Sequence, residues 1–196
     1  MENVTSQDVL EFWFSSAQKS RWYAKDEKFD ADIRQRFLTT YEAAYAGELD
    51  KWRSTPESLL ALIILLDQFP RNMFRGSPRA FASDAYAVRL TKEGIERGFH
   101  GSLRGAQLDF FFMPLMHGES LSDHDLLAQL GYGGNRYARQ HRKIIARFGR
   151  FPHRNEMLGR ESTAEEASYL ARSSRVNPRC MASGRCKKRS NCPTPH

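Results

Sequence analysis

The sequence predicts an all-α protein of seven to eight helices, followed by a disordered C-terminal tail. Apolar residues recur at helical spacing over most of residues 5–170, and no segment shows the convincing alternation of a half-buried strand. A cap residue followed by proline, typical of a helix start, occurs at Thr55-Pro56 and again at Ser77-Pro78. The predicted connections are short, as in a helical array or bundle.

The first helices follow from caps and apolar faces. Thr5 is predicted to cap a short first helix, and a second is predicted from Asp30 to a stop at Gly47. The helix opened by Thr55 contains the run Leu59–Leu66, which is apolar on every side and therefore expected to be central and buried. A buried strand is the alternative for so short a run, but the cap and the Leu/Ala content favour a helix.

The remaining boundaries are predicted from proline, glycine and cap residues. Asp67–Pro70 is expected to end the central helix, because proline lacks the N–H donor and disfavours helical geometry in the residue before it. Pro114 is expected to kink or end a later helix near His117, and Gly149 to end another. The later helices are predicted to begin at Ser77, near Arg104, at Ser120 or Ser122, at Asn135 and at Ser162.

The distribution of charged residues and of cysteines changes at about residue 170. The formal net charge is +7, and residues 171–196 contain Lys and Arg but no acid, enough to account for the whole excess. We therefore expect a single all-α domain at 1–170 with no net charge, and no specific nucleic-acid binding by this folded body. Residues 171–196 are predicted to be a disordered basic tail, which also carries Cys180, Cys186 and Cys192.

Neither a secretory nor a membrane segment is indicated. The N-terminus lacks a basic region followed by an apolar run, and Leu59–Leu66 is far shorter than the ~20 residues that cross a bilayer. An odd number of cysteines without a CxxC pair favours neither a disulfide framework nor a zinc site. We expect a cytoplasmic protein without a membrane partner, and the sequence leaves its oligomeric state open.

Two segments share a pattern and are named here the first elbow, residues 69–77, and the second elbow, residues 148–162. Each contains Phe-Pro, then Arg-Asn, an apolar pair, a further Arg and a Ser cap, with small insertions. Each is predicted to end one helix and begin another. The echo fits an internal helical repeat, and chance recurrence of turn residues is the alternative.

Arginines and polar residues at the elbows are the candidate ligand-binding groups. A guanidinium pairs well with phosphate or carboxylate, and nearby helix N-termini would add donors. The structural alternative is that these arginines bond the free carbonyls of helix ends, or pair with Asp67 and Asp84. The candidate ligand-binding residues are Asp67, Arg71, Asn72, Arg75, Arg150, Arg154 and Asn155.

His117, Glu119 and His153 are the candidate catalytic residues. His and Glu beyond a proline-containing helix could act as a general acid/base pair, although a hydrogen-bonded structural His is the commoner case. No HExxH or similar ligand spacing occurs, so no metal site is predicted, and no Walker or dinucleotide motif identifies a cofactor. A GxSxG motif is also absent.

Three functions remain open at this level. The leading hypothesis is a pocket for a small phosphate or carboxylate ligand, formed where the elbows and the segment 117–119 converge. The second is a hydrolase or lyase acting on such a metabolite, with His117 or His153 as acid/base and Glu119 as partner. The third is a helical-repeat scaffold, which would expose an apolar groove and contain no buried charge cluster.

Several segments resemble a bacterial family known as domain of unknown function 924. They are residues 9–14, 62–72, 79–82, 114–119 and 147–155, and the resemblance covers about residues 5–170. It implies an all-α fold similar to tetratricopeptide-like helical arrays, and no established activity. The family pattern usually has His-Ser-Glu where this chain has His117-Gly118-Glu119, and Gln where it has His124.

Overall fold

The described part of the chain consists of helices and the turns between them. The computed structural model describes residues 4–176, with side chains to residue 172, and contains no strand in that range. Its α-helices are α1 (Ser6–Phe14), α2 (Ser16–Lys19), α3 (Glu27–Tyr45), α4 (Pro56–Met73), α5 (Asp84–Glu96), α6 (Ala106–His117), α7 (Leu121–Gln129), α8 (Arg136–Phe148) and α9 (Ala164–Val176). Short 3-10 turns occupy Asp50–Arg53, Pro78–Phe81, Phe99–Gly101, Tyr132–Gly134 and Pro152–Arg154. The all-α prediction is confirmed.

Helix α4 forms the centre of the fold. A capping box fixes its start: the Thr55 hydroxyl accepts from the Ser58 N–H, and the Ser58 hydroxyl accepts from the Thr55 N–H, each at 3.2 Å. The side chains of Leu59–Leu66 are each at most 1% exposed, and α1, α3, α5 and α6 pack around the helix. The segment is a helix, as predicted, and the polar residues that follow it on α4 are carried into the interior.

The predicted end of α4 at Asp67–Pro70 is wrong, because Pro70 lies inside the helix, which continues to Met73. Proline cannot donate to the carbonyl four residues earlier, so the Leu66 carbonyl loses its helical partner. The buried Ser83 hydroxyl donates to that carbonyl instead, at 2.5 Å. Consequently Asp67 and Arg71 lie one turn apart on a continuous helix, and the Phe-Pro pair of the first elbow does not end that helix.

Helix α6 contains a second internal proline, Pro114, and ends at His117, as predicted. It contacts α4, α5, α7 and α8. Two carbonyls at its C-terminal end accept from histidines of the neighbouring helices: Met116 from His141 at 3.2 Å and Gly118 from His124 at 3.0 Å. These bonds fix the end of α6 between the central helix and the second elbow.

The boundaries of α5 and α8 give one correction and one confirmation. Ser77-Pro78 opens the 3-10 turn at Pro78–Phe81 rather than a long α-helix, and α5 begins only at Asp84. The predicted cap of α8 is confirmed, because the Asn135 side chain accepts from the first N–H groups of that helix. Gly149 ends α8 with a φ of 67°, which glycine adopts without strain.

The last helix is capped one residue later than predicted, at Thr163 instead of Ser162, and it also ends later than predicted. Its capping box joins Thr163 and Glu166 rather than involving Ser162: the Thr163 hydroxyl accepts from the Glu166 N–H at 3.2 Å, and the Glu166 carboxylate accepts from the Thr163 N–H at 2.8 Å. Helix α9 continues to Val176, past the predicted boundary at residue 170. The rest of the predicted basic tail, with its cysteines, lies outside the described residues.

None of the helices between residues 4 and 176 is long and apolar enough to cross a bilayer. The tetratricopeptide-like arrangement stays a prediction.

Candidate functional site

A solvent-open cleft of about 450 Å³ lies where the end of α6 meets the start of α5 and the second elbow. Apolar side chains of the Pro78–Phe81 turn and of α5 line part of it, among them Phe81 and Val88. The polar lining includes Asp84, His117, Glu119 and Arg154. Three of the predicted site residues, His117, Glu119 and Arg154, therefore border one cavity.

Asp84, the first residue of α5, joins the two elbows. Its Oδ1 accepts from Arg71 Nη2 at 2.8 Å, and its Oδ2 accepts from Arg154 Nη1 at 3.1 Å. The Asp84 side chain is 15% exposed, so both ion pairs form largely away from water. The equivalent arginines of the two elbows thus meet on one carboxylate, although 83 positions separate them in the numbering.

Asp67 is a fully enclosed carboxylate on α4. It is 1% exposed and accepts from Arg71 at 3.1 Å, from the Gln68 side-chain amide, and from His117 Nδ1 at 2.8 Å. Burial works against ionisation of such a group, but the positive charges that a protonated His117 and Arg71 place beside it, with the hydrogen bonds from His117 and Gln68, outweigh burial and lower the pKa of Asp67. Asp67 is therefore an anion that only accepts hydrogen bonds.

His117 is held against Asp67 as a neutral imidazole. Burial, reinforced by the nearby Arg71 charge, lowers the pKa of His117 to about 4, even though Asp67 acts in the opposite direction. Because Asp67 can only accept, the proton of the neutral ring resides on Nδ1, and Nε2 carries a lone pair. Nε2 has no hydrogen-bond partner among the described residues, and 18% of the side chain is exposed at the cleft.

Arg154 is a buried guanidinium with few hydrogen bonds. Its side chain is 8% exposed, and its guanidinium carbon lies 4.7 and 4.6 Å from the ring centres of Phe81 and Phe151. Within the described residues its one hydrogen bond goes to Asp84, and its Nε lacks a partner. Burial and the adjacent Arg71 lower the pKa of Arg154 to about 10, which still leaves it charged at neutral pH.

The chain is similar in sequence and in structure to bacterial proteins. The model of a family described as bacterial protein of unknown function (DUF924) matches residues 9–174. The chain belongs to this family. A solved structure of a protein of unknown function from Agrobacterium tumefaciens is 41% identical, with a TM-score of 0.79 over 85% of this chain and 97% of that one. No curated protein matches.

In this DUF924 protein Glu119 is not the partner of His117. Glu119 accepts from Arg160 at 2.6 and 3.0 Å and from the Phe151 N–H at 2.8 Å. Although burial opposes it, the bond from Arg160 helps to lower the pKa of Glu119. Glu119 therefore ties the end of α6 to the second elbow, and the predicted His117–Glu119 pair is replaced by His117 with Asp67.

Of the seven predicted ligand-binding residues of this family member, Arg154 alone is in the cleft lining. Asp67 and Arg71 lie behind it, and the other four are bonded elsewhere in the elbows. In the first elbow, the Asp30 carboxylate accepts a two-bond fork from Arg75 at 2.7 and 2.9 Å, and a further bond from Asn72 at 2.7 Å. These residues border a separate, more open depression beside α3. Their hydrogen bonds within the protein match the structural alternative that the sequence left open.

Arg150 and Asn155, which are also outside the cleft lining, belong to the second elbow. Arg150 makes a fork with Glu166 at 2.7 and 2.8 Å, and the Asn155 amide donates to Ser162 at 3.0 Å and to Glu166 at 3.3 Å. Both side chains thus connect the second elbow to the start of α9.

His153 lies at the second elbow but is not part of the cleft lining. Its ring centre is 5.5 Å from that of Phe151, and burial beside Arg154 lowers its pKa to about 4. The same Phe151 ring also contacts His141 and His124, at 5.3 and 6.4 Å. These histidines surround an aromatic side chain, which accounts for their burial without a ligand.

Sequence reasoning gave Asp84 only a structural role and gave Phe81 none. Asp84 is the carboxylate on which the elbows meet, and Phe81 packs on the Arg154 guanidinium. Asp84 belongs to no motif, and the family-like segment 79–82 that contains Phe81 does not indicate its partner. Asp84 and Arg154 are 70 residues apart. The neighbouring Ser83 makes no side-chain cap bond to α5, and no local pattern in the sequence marks Asp84 or Phe81 as part of a site.

Proposed function

We propose that the cleft binds a small anionic ligand through Arg154. The observation that carries this proposal is a charged guanidinium, 8% exposed, with one hydrogen bond from the described residues and an unpartnered Nε, at the edge of an open cavity. A buried charge normally has several hydrogen-bond partners, because removing it from water costs several kcal/mol. A phosphate or carboxylate in the cleft would supply the missing acceptors.

The negative charges around the cleft are paired with cations and therefore do not oppose the binding of an anion. Each carboxylate of the lining has its own cation: Asp84 pairs with Arg71 and Arg154, Glu119 with Arg160, and Asp123 with Lys92. No unpaired carboxylate of the lining is therefore present to repel the ligand. Arg71, Arg75 and Arg150 each make two or more side-chain hydrogen bonds, so Arg154, with one, is the favoured ligand-binding arginine of the predicted set.

The first turn of α7 provides further support. Its cap residue, Ser120, lines the cleft, and its hydroxyl pairs with that of Ser122 at 2.9 Å rather than accepting from a backbone N–H of the helix. The positive end of the helix dipole at this place favours a negative ligand. Together with Arg154 it would hold an anion from two elements of the fold.

The cleft also selects the size and shape of the ligand. A volume of about 450 Å³ fits a small metabolite. Phe81, Val88 and Leu158 in the lining would accommodate an apolar portion, with the anionic end at Arg154. The scaffold hypothesis is disfavoured, because it expects no buried charge cluster and Asp67, Arg71 and Arg154 form one.

A thermal-shift titration of the full chain tests the proposal. Phosphate, sulfate and succinate are compared with chloride at equal ionic strength, in the wild type and in Arg154→Gln. A ligand at about a hundred times its Kd stabilises by ~2.7 kcal/mol, which raises the Tm of a chain of this size by roughly 5–10 °C. We expect such a shift in the wild type and its loss in Arg154→Gln.

Arg75→Gln is the matched control, because it removes a paired arginine outside the cleft lining. This variant should keep the ligand-induced shift. Equal shifts in the wild type and Arg154→Gln would refute Arg154 as the binding residue, and the absence of a shift with all of the anions would refute the proposed function.

A further inference from the structure

The Asp67–His117 pair supplies the cleft with a base of fixed orientation. Asp67 Oδ1 and Oδ2 lie 2.8 and 3.0 Å from His117 Nδ1, so both carboxylate oxygens contact the same nitrogen and fix the orientation of the ring. We infer that His117 Nε2 activates water for the hydrolysis of a small anionic ester, with Asp67 as its positioning residue. This inference rests on the proposed function, since Arg154 would hold the anionic end of the ester.

Asp67 is suited to this role because its side chain is held in one orientation. Arg71 and Gln68 donate to it, and the carboxylate is 1% exposed on the central helix. A carboxylate that accepts from Nδ1 keeps the neutral ring in the tautomer with a basic Nε2 and stabilises the imidazolium that forms when Nε2 takes a proton. Glu119, engaged with Arg160 and the Phe151 N–H, makes no such contact with His117.

Water is the nucleophile that fits the cleft. The Ser120 and Ser122 hydroxyls bond each other at 2.9 Å, and neither is hydrogen-bonded to His117. No cysteine occurs before residue 180. Because the cleft is open and Nε2 has no partner among the described side chains, a water molecule can reach this nitrogen from solvent.

The proposed step balances without another reagent. His117 Nε2 takes one proton from water while the water oxygen bonds to the ester carbonyl carbon, giving a tetrahedral anion. That anion collapses, the bond to the alcohol oxygen breaks, and the departing oxygen takes the proton back from Nε2. The products are a carboxylic acid and an alcohol, and Asp67 remains ionised throughout.

The kinetic test uses two model esters with the full chain. Mono-4-nitrophenyl succinate carries an anionic end, and 4-nitrophenyl acetate is the neutral comparison. We expect saturable hydrolysis of the anionic ester, with a higher kcat/KM than for the neutral one. His117→Gln should lower kcat by ~10²–10⁴-fold, Asp67→Asn should lower kcat with little change in KM, and Arg154→Gln should remove the preference for the anionic ester.

The Asp67→Asn result is interpreted only for protein whose Tm shows that it is folded, and Arg75→Gln should retain wild-type rates. The tautomer of wild-type His117, read from nitrogen-15 shifts and assigned with His117→Gln, needs no variant at Asp67. We expect a proton on Nδ1 and none on Nε2 at neutral pH. The opposite tautomer would overturn the inference.

The kinetic outcomes separate the two proposals. Anion-induced stabilisation without hydrolysis of either ester above the buffer rate, or with hydrolysis that His117→Gln leaves unchanged, would overturn the inference and leave the proposed function intact. A lack of anion-induced stabilisation would overturn both the proposed function and the inference.

Discussion

Arg71 and Arg154 occupy equivalent places in the two elbows, and each donates to one oxygen of Asp84. Beyond that shared carboxylate their surroundings differ. Arg71 also bonds Asp67 at 3.1 Å and the Ala80 carbonyl at 3.3 Å, whereas Arg154 makes no second hydrogen bond within the described residues and packs between aromatic rings beside the cleft. The Nε atom lacks a partner in both arginines.

The difference follows from local geometry and from the residue four positions earlier. Pro70 does not interrupt α4, so Arg71 lies one turn beyond Asp67 and finds a carboxylate on its own helix. Arg154 follows a true helix end at Gly149, and the residue four positions before it is Arg150, a like charge. The same motif therefore gives an arginine with several hydrogen bonds in the first elbow and an arginine with a single hydrogen bond in the second.

The largest expected effect comes from replacing these two arginines in turn. Arg71→Met removes a cation shared by Asp67 and Asp84, and breaking a buried pair of this kind costs about 3–5 kcal/mol. Arg154→Met leaves Asp84 paired with Arg71 and keeps an apolar stem between the rings, so we expect a loss of ~1 kcal/mol. Urea unfolding of both variants measures the difference, and equal losses would contradict the asymmetry of the elbows.

A smaller effect tests why the first elbow stays helical. Ser83→Ala leaves the Leu66 carbonyl without a donor, which we expect to cost about 1–3 kcal/mol. Pro70→Ala restores a backbone N–H for that carbonyl, so Ser83→Ala should cost less in the Pro70→Ala background. The coupling from a double-mutant cycle by urea unfolding is the measurement, and additive costs would show that Ser83 does not replace the missing donor.

The smallest effect at neutral pH concerns His117. Its pKa falls from 6.5 to about 4 on folding, so the unfolded chain takes up a proton in this range that the folded chain does not. Its contribution to stability is therefore complete above pH 6.5 and is lost as the pH falls towards 4. His117→Gln should reduce proton uptake on unfolding near pH 5 by about one proton, measured from the slope of unfolding free energy against pH.

His141 and His153, whose pKa values are also lowered to about 4, should retain their share of that slope in His117→Gln. An unchanged slope in this variant would contradict a neutral, buried His117.

Local signals accounted for most of the fold. The Thr55 cap, the apolar run of α4, the Asn135 cap and the glycine stop at Gly149 act within a few residues, and each lies where the sequence predicted it. The error at Pro70 has a non-local cause, because the hydroxyl that permits the helix belongs to Ser83, 17 residues from the carbonyl it bonds.

The site was less predictable, since its contacts are long-range. The predicted pocket combined His117, Glu119 and His153 with the polar residues of both elbows. His117, Glu119 and Arg154 border the cleft, and the rest of the predicted set does not line it. Their partners could not be read from spacing: Asp67 is 50 residues from His117, and Asp84 is 70 residues from Arg154. One sequence contains no information on which of several carboxylates a buried histidine will meet.

The bridge through Asp84 has a consequence for how the protein matures. Because α4 and α5 are synthesised before Arg154, Arg71 is the first of the two arginines available to Asp84 and to the Phe81 ring, which lies 5.4 Å from the Arg71 guanidinium in the folded chain. The cleft is complete only after the second elbow has docked onto the earlier helices. Ligand binding would therefore distinguish fully assembled chains from nascent ones that already contain the central helix.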